Sequence, residues 1–153
     1  MKLLSNVVAF CRDVFNWKLA LVSAIFQGVM VAGINWDHGI IESLRAGASQ
    51  APVSALLTGV TAGVAQLIAC KIQKPLPAYF WGSAVPAAVT LAFVAPTHLL
   101  NGTPEFLWSC FAPTALSGST SMSVNFAARN LAHRPGWRWI RKFLLNTDNK
   151  PTN

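Results

Sequence analysis

The chain has 153 residues, of which 53% are hydrophobic and 11% charged, with a formal net charge of +7. Soluble domains carry roughly 25% charged residues, so the composition excludes an ordinary water-soluble globule. Cys11, Cys70 and Cys110 are far apart and odd in number, which excludes a disulfide framework or a thiolate metal site.

The few charges flank four uncharged windows: Leu19 to Trp36, Ala46 to Cys70, Pro75 to Asn101 and Phe106 to Ala128. Each window holds an apolar core of the roughly 17–25 residues that cross about 30 Å of hydrocarbon. A helix of a soluble bundle would carry a charged face, and these carry none. The expected fold class is therefore an all-α integral membrane protein: four transmembrane helices with amphipathic interfacial helices at both termini.

Residues 1–18 read as an N-terminal amphipathic helix on the cytoplasmic side. Leu3, Leu4, Val7, Val8, Cys11, Val14 and Phe15 share one face, and Lys2, Asn6, Arg12, Asp13 and Asn16 the other. Such a helix lies in the headgroup plane or packs on a partner subunit. Span 1, residues 19–36, is bounded by Trp17 and Trp36 as interfacial anchors, and Gln27, Gly28, Ala32 and Gly33 form a close-packing face. A secretory signal could imitate this span, with Val31-Ala32-Gly33 as cleavage site, but the stretch before Leu19 is too long for the charged leader of such a signal.

A short loop carrying Asp37, His38, Glu42 and Arg45 leads to span 2, residues 51–70, with Pro52 in its first turn. Gly59 and Gly63 form a GxxxG pattern, which permits close helix approach in lipid. Lys71 and Lys74 flank a turn with Pro75 and Pro77. Span 3, residues 78–95, is anchored by Tyr79, Phe80 and Trp81, bent at Pro86 and stopped by Pro96. A second outer loop, Thr97 to Pro104, contains His98 and ends beside Glu105. Span 4, residues 106–128, is interrupted near its start by Pro113. Residues 135–145 form a basic interfacial helix, with Trp139, Ile140, Phe143 and Leu144 opposite Arg138, Arg141 and Lys142. The tail 146–153 reads as disordered.

Lys and Arg cluster in the N-terminal segment, the Lys71–Lys74 turn and the C-terminal segment, and only Arg45 lies on the opposite loops. The positive-inside rule then places both termini in the cytoplasm of a multi-pass plasma-membrane protein, expected in a bacterial inner membrane. Anionic lipid headgroups are the expected partner of these cations rather than nucleic acid, since no nucleic-acid signature accompanies them.

The second half echoes the first. His38 answers to His98, Ala51-Pro52 to Ala112-Pro113, and Lys74-Pro75 to Arg134-Pro135. Two parallel hairpins would follow, with spans 2 and 4 meeting centrally. Polar stripes mark both: Ser54, Thr58 and Thr61 on span 2, with Thr114, Ser117, Gly118, Ser121 and Asn125 on span 4. These residues pack helices together or line a polar pathway.

On the outer face Asp37, His38, Glu42, His98 and Glu105 form a candidate polar cluster. No HExxH, HxH or HxxxH spacing is present, and neither metal nor cofactor is expected. Nothing ionisable is expected deep in a span, which speaks against a proton-driven transporter. No GxSxG or base-paired nucleophile points to an enzyme. The functional expectation is a non-enzymatic subunit or accessory factor of a membrane complex, acting through helix association with other subunits or itself. The alternative is a passive channel or facilitator for a small solute, including a holin-like pore, lined by the Ser and Thr residues of spans 2 and 4.

Overall fold

The computed structural model describes residues 14–131 and 134–145, and every regular element among them is helical. The expected amphipathic helix before Val14 and the tail 146–153 lie outside the described residues.

Four long helices run up and down. They are α1 (Trp17–Ile34), α2 (Ile40–Lys71), α3 (Pro75–Leu100) and α4 (Phe106–Phe126). A π-helical turn (Ala127–Leu131) and a 3-10 turn (Pro135–Trp137) lead from α4 to the short α5 (Arg138–Leu144). Helix α1 packs along α2 and α3 along α4. Helix α2 also touches α3 and α4, so it is the element on which the two hairpins join.

Helices α1, α2 and α3 are long and apolar enough to cross a membrane. Helix α4 has 21 residues, but its many Ser and Thr residues lower its hydropathy below theirs. Three helices, rather than the four expected, thus meet that description.

The distribution of side chains is inside out for a water-soluble bundle. Leu21, Ile25, Phe26, Phe80, Trp81, Phe93, Trp108 and Phe111 are exposed, while Gln27, Gln50, Ser54, Thr58, His98, Ser117 and Asn125 are buried. Burying polar groups and exposing large apolar ones is unfavourable in water and suits an apolar solvent. The apolar interior is built from small residues. Ala62, Ala65, Ala69, Val124, Ala127 and Ala128 form one cluster with Leu19 and Leu145.

Several helix limits differ from the sequence expectation. Helix α2 begins at Ile40 instead of Ala51, because Ser43, Gly47, Gln50 and Ser54 recur at helical spacing on the buried face. Gly39, at φ +99°, makes the turn that precedes it, a conformation open to glycine. Pro52 therefore sits inside α2 rather than in its first turn. Pro96 does not stop α3, which continues to Leu100, and Pro113 does not break α4. A proline in a bilayer-type bundle is tolerated where neighbouring groups take up the freed backbone carbonyls.

Glycines set the closest approaches. A side chain at Gly47 would strike the Gly28 carbonyl oxygen and Ala32 of α1, which confirms the Gly28–Ala32 face as the α1–α2 contact. Gly33, expected on the same face, has open space around it. Among the described residues, the Gly59–Gly63 groove of α2 is filled from the start of the described chain rather than by α1, α3 or α4. It holds the Phe15 ring and the Val14 backbone, and Asn16 N–H donates to the Gly59 carbonyl at 2.8 Å.

The two ends of the described chain meet at this place. The Asn16 side chain caps α1 by accepting from Leu19 N–H at 3.2 Å and donates to the Leu144 carbonyl at 3.1 Å. Lys18 Nζ donates to the Lys142 carbonyl at 2.7 Å. Both contacts satisfy the exposed carbonyls at the C-terminus of α5.

Because Gly47 abuts backbone, Gly47→Leu is expected to destabilise the protein by about 1–3 kcal/mol. Gly33→Leu is expected to be near neutral. Thermal unfolding in mild detergent compares the two, and equal midpoints would refute this packing.

Candidate functional site

Helical spacing places a run of polar side chains along the interior of the first three helices. On α1 these are Ser23 and Gln27, one turn apart; on α2 they are Gln50, Ser54 and Thr58; on α3, Thr90 and His98 share a buried strip with Pro86 and Val94. The fold joins most of them into one chain of hydrogen bonds.

His98 is fully buried in the last turn of α3. Its Nε2 lies 2.8 Å from Gln50 Oε1 and its Nδ1 2.9 Å from Thr103 Oγ1. Gln50 Nε2 donates to Ser54 Oγ at 2.6 Å and reaches Gln27 Oε1 at 3.4 Å. Ser54 Oγ donates to the same Gln27 oxygen at 3.0 Å. Gln27 Nε2 donates to Ser23 Oγ at 2.6 Å, and Ser23 pairs with Thr58 Oγ1 at 2.7 Å. The amide nitrogen of Gln50 is committed as donor, so its oxygen must accept, and His98 Nε2 carries the proton. In the neutral imidazole, Nδ1 then accepts from the Thr103 hydroxyl. Donors and acceptors thus run in one sense from the α3–α4 loop to the middle of α1.

Two further polar knots hold the rest. Asn35, fully buried at the end of α1, donates to the Val31 carbonyl at 2.9 Å and to Ser109 Oγ at 3.0 Å, and accepts from Glu105 N–H at 3.1 Å. It therefore ties α1 to the start of α4. Asn125 of α4 donates to the Ala78 carbonyl at 2.9 Å through the space left by Gly82, and to Ala65 at 3.4 Å. Its Oδ1 and the Thr114 hydroxyl are the buried polar atoms without a partner among the described residues.

The paired members of the polar stripes are divided between two separate interfaces. Ser54 and Thr58 of α2 bond to α1, whereas Ser117 of α4 accepts from Thr90 of α3 at 2.7 Å. Ser83 of α3 donates to the Gly118 carbonyl at 2.7 Å. Thr61 and Ser121 are buried. Of the outer-face residues, His38 and Glu105 pair at 3.0 Å, both partly exposed. Asp37 is exposed and Glu42 half-buried in the first turn of α2. His98 does not join them, since both its ring nitrogens are engaged inside the bundle. His98, expected in the outer loop, is instead buried in the last turn of α3, at a helix end rather than deep in a span. Among the described residues no three His, Cys, Asp or Glu side chains gather into a set that could hold a metal ion.

Sequence reasoning does not single out Gln50, Thr103, Asn35 and Ser23, and it assigns His98 to the outer loop rather than to the interior. The available signal was the four-residue spacing Gln50–Ser54–Thr58 and Thr90–Val94–His98, hidden by starting α2 too late and ending α3 too early.

The class that fold and interior define is a helical membrane protein. No known protein family, curated protein or solved structure matches the chain.

Removing the imidazole leaves the Gln50 oxygen buried without a donor, so His98→Ala is expected to cost about 1–3 kcal/mol. His98→Gln, which retains a donor, is expected to recover part of it. Glu105→Gln, at an exposed pair, is expected to change stability by less than about 1 kcal/mol. Unfolding midpoints in detergent rank the three, and a neutral His98→Ala would refute the chain as a structural element.

Proposed function

We propose that the chain is a four-span, non-enzymatic membrane protein that works by helix association, as a subunit or accessory factor of a membrane complex or as a small homo-oligomer. Four considerations support the crossing of α4. It carries no charge from Phe106 to Ala128. At 1.5 Å per residue its 21 residues span about 31 Å. Its exposed Ser119 and Ser123 hydroxyls donate to the carbonyls one turn back, Ala115 and Ser119, as hydroxyls facing lipid must. Finally, Asn16 and Lys18 contact residues 142–144, so the two ends of the bundle share one face, which requires an even number of crossings.

Charge supports the orientation. The described carboxylates Asp37, Glu42 and Glu105 all lie at one end of the bundle, with Arg45. Lys18, Lys71, Lys74, Arg129, Arg134, Arg138 and Lys142 lie at the other, which by the positive-inside rule is cytoplasmic and faces anionic headgroups.

The observation that carries association is the outer face of α3. Most small residues of α1, α2 and α4 are filled from within the chain, so they do not call for a partner. Helix α3 differs, because only 22% of its apolar window is buried. Trp81, Val85, Ala88, Ala92, Pro96 and Leu99 form an exposed strip, with Ala88 and Ala92 one turn apart in its centre. That is the small-xxx-small arrangement by which helices approach in lipid. The passive-channel reading has less support, because Ser54 and Thr58 of α2 bond to α1 and Ser117 of α4 to α3 instead of facing one route. A duplication of hairpins rests on the α2–α4 contact and the shared Ala-Pro pairs, while His38 and His98 occupy unlike surroundings.

Ala88→Leu is expected to abolish co-purification of partners, or of a tagged second copy, from native membranes without loss of folded protein. Leu21→Ala, on the outer face of α1, is expected to leave it intact. A lone monomer in native membranes would overturn association. Tags on the two termini found on opposite faces would overturn four crossings.

A further inference from the structure

The geometry points to a phosphate-binding cleft at the basic end of the bundle, filled by the headgroup phosphate of a bilayer lipid. The inference rests on the membrane reading and names a partner for that end.

The cleft is about 430 Å³ and lies between the end of α2, the start of α3 and the π-helical turn after α4, within the roughly 300–1,000 Å³ range of small-ligand sites. Arg129 forms one wall. Its Nη1 donates to the carbonyls of Ala69 at 2.9 Å and Ile72 at 2.7 Å, and its Nη2 to Gln73 at 2.7 Å. These bonds cap α2 and hold the guanidinium in place. They leave Nε–H and one Nη2–H, and a guanidinium offers such adjacent donors to phosphate or carboxylate in pairs. Tyr79 faces the guanidinium across the cleft, its ring 6.0 Å from the Arg129 carbon. The Tyr79 oxygen accepts from Asn130 Nδ2 at 3.0 Å, so its own proton is available to a ligand.

The surroundings favour an anion. No carboxylate pairs with Arg129 among the described residues, since all described acids lie at the other end of the bundle. Lys71 and Lys74 flank the turn. Helix α3 starts at Pro75, on the cleft; Pro75 and Pro77 carry no N–H, so its N-terminus adds only the positive end of the helix dipole. The cleft also opens where α2 and α3 emerge from their apolar windows, the depth of a phospholipid phosphate. A bidentate fork with a phenol hydroxyl suits a phosphate ester better than a zwitterion's ammonium group.

Thermal unfolding of the full chain in nonionic detergent tests it, with dioctanoyl phosphatidylglycerol, dioctanoylglycerol, inorganic phosphate and matched sodium chloride as additives. Phosphatidylglycerol is expected to raise the midpoint by several degrees and dioctanoylglycerol, which lacks the phosphate, to leave it unmoved. Arg129→Lys and Tyr79→Phe are each expected to weaken apparent affinity about tenfold. Tyr79→Phe removes one hydroxyl and no cap, so it decides the matter if the Arg129 variant fails to fold. Equal protection by dioctanoylglycerol, or wild-type affinity in Tyr79→Phe, overturns the site. Equal protection by inorganic phosphate overturns the lipid as its source. A detergent-dependent chain indifferent to phosphate ends this inference and leaves the membrane reading standing. A chain soluble without detergent that still binds phosphate overturns the membrane reading and with it the lipid source of the phosphate.

Discussion

No water reaches a donor or acceptor inside a bilayer, so each must find its partner within the protein. For all but Thr114 Oγ1 and Asn125 Oδ1 among the described buried side chains this bundle meets that constraint, chiefly by threading one hydrogen-bond chain through three helices, from Thr103 by way of His98, Gln50, Gln27 and Ser23 to Thr58. Gln50 is its hub. The amide offers both senses of hydrogen bond at one point, and α1, α2 and α3 converge there because each has something to give or take. Apolar packing in lipid supplies little preference for one helix arrangement over another, since tails and leucines are alike. Directional bonds supply that preference here.

Small residues do the complementary work. Gly28 and Gly47 bring α1 and α2 close enough for the Gln27, Ser54 and Gln50 side chains to meet, and Gly82 opens the slot that Asn125 enters. Helix proximity and polar pairing are therefore one device. Larger residues at the glycines would hold the amides beyond hydrogen-bond range even if the backbone adjusted. The apolar bulk of the chain is turned outward, where lipid takes the place of a core.

The ends of the molecule are specialised by charge and by capping. At one end Asn35 joins α1 to α4 beside the exposed His38–Glu105 pair. At the other, Arg129 closes α2, and Asn16 with Lys18 close α5. The C-terminal carbonyls of a helix carry partial negative charge, so cationic and amide donors such as Arg129, Lys18 and Asn16 stabilise them.

The sequence by itself determined the class. Long uncharged windows with cations between them can be satisfied only by helices in lipid, and periodicity located α1, most of α3 and α4, and the short basic helix α5. It also picked out Gln27, Ser54, Thr58, Ser117 and Asn125, because polar residues in apolar stretches stand out singly. What each polar group bonds to was decided by tertiary structure alone. His98 read as a loop residue because Pro96 looked like a stop, yet neighbouring helices let α3 continue and carry the imidazole inward. Gly59 and Gly63 read as a close-approach face, and that Phe15 and Val14 are what they receive among the described residues is visible only in the tertiary structure. Spacing along one helix shows which residues share a face, whereas the partner across that face depends on how separate helices are rotated and brought together.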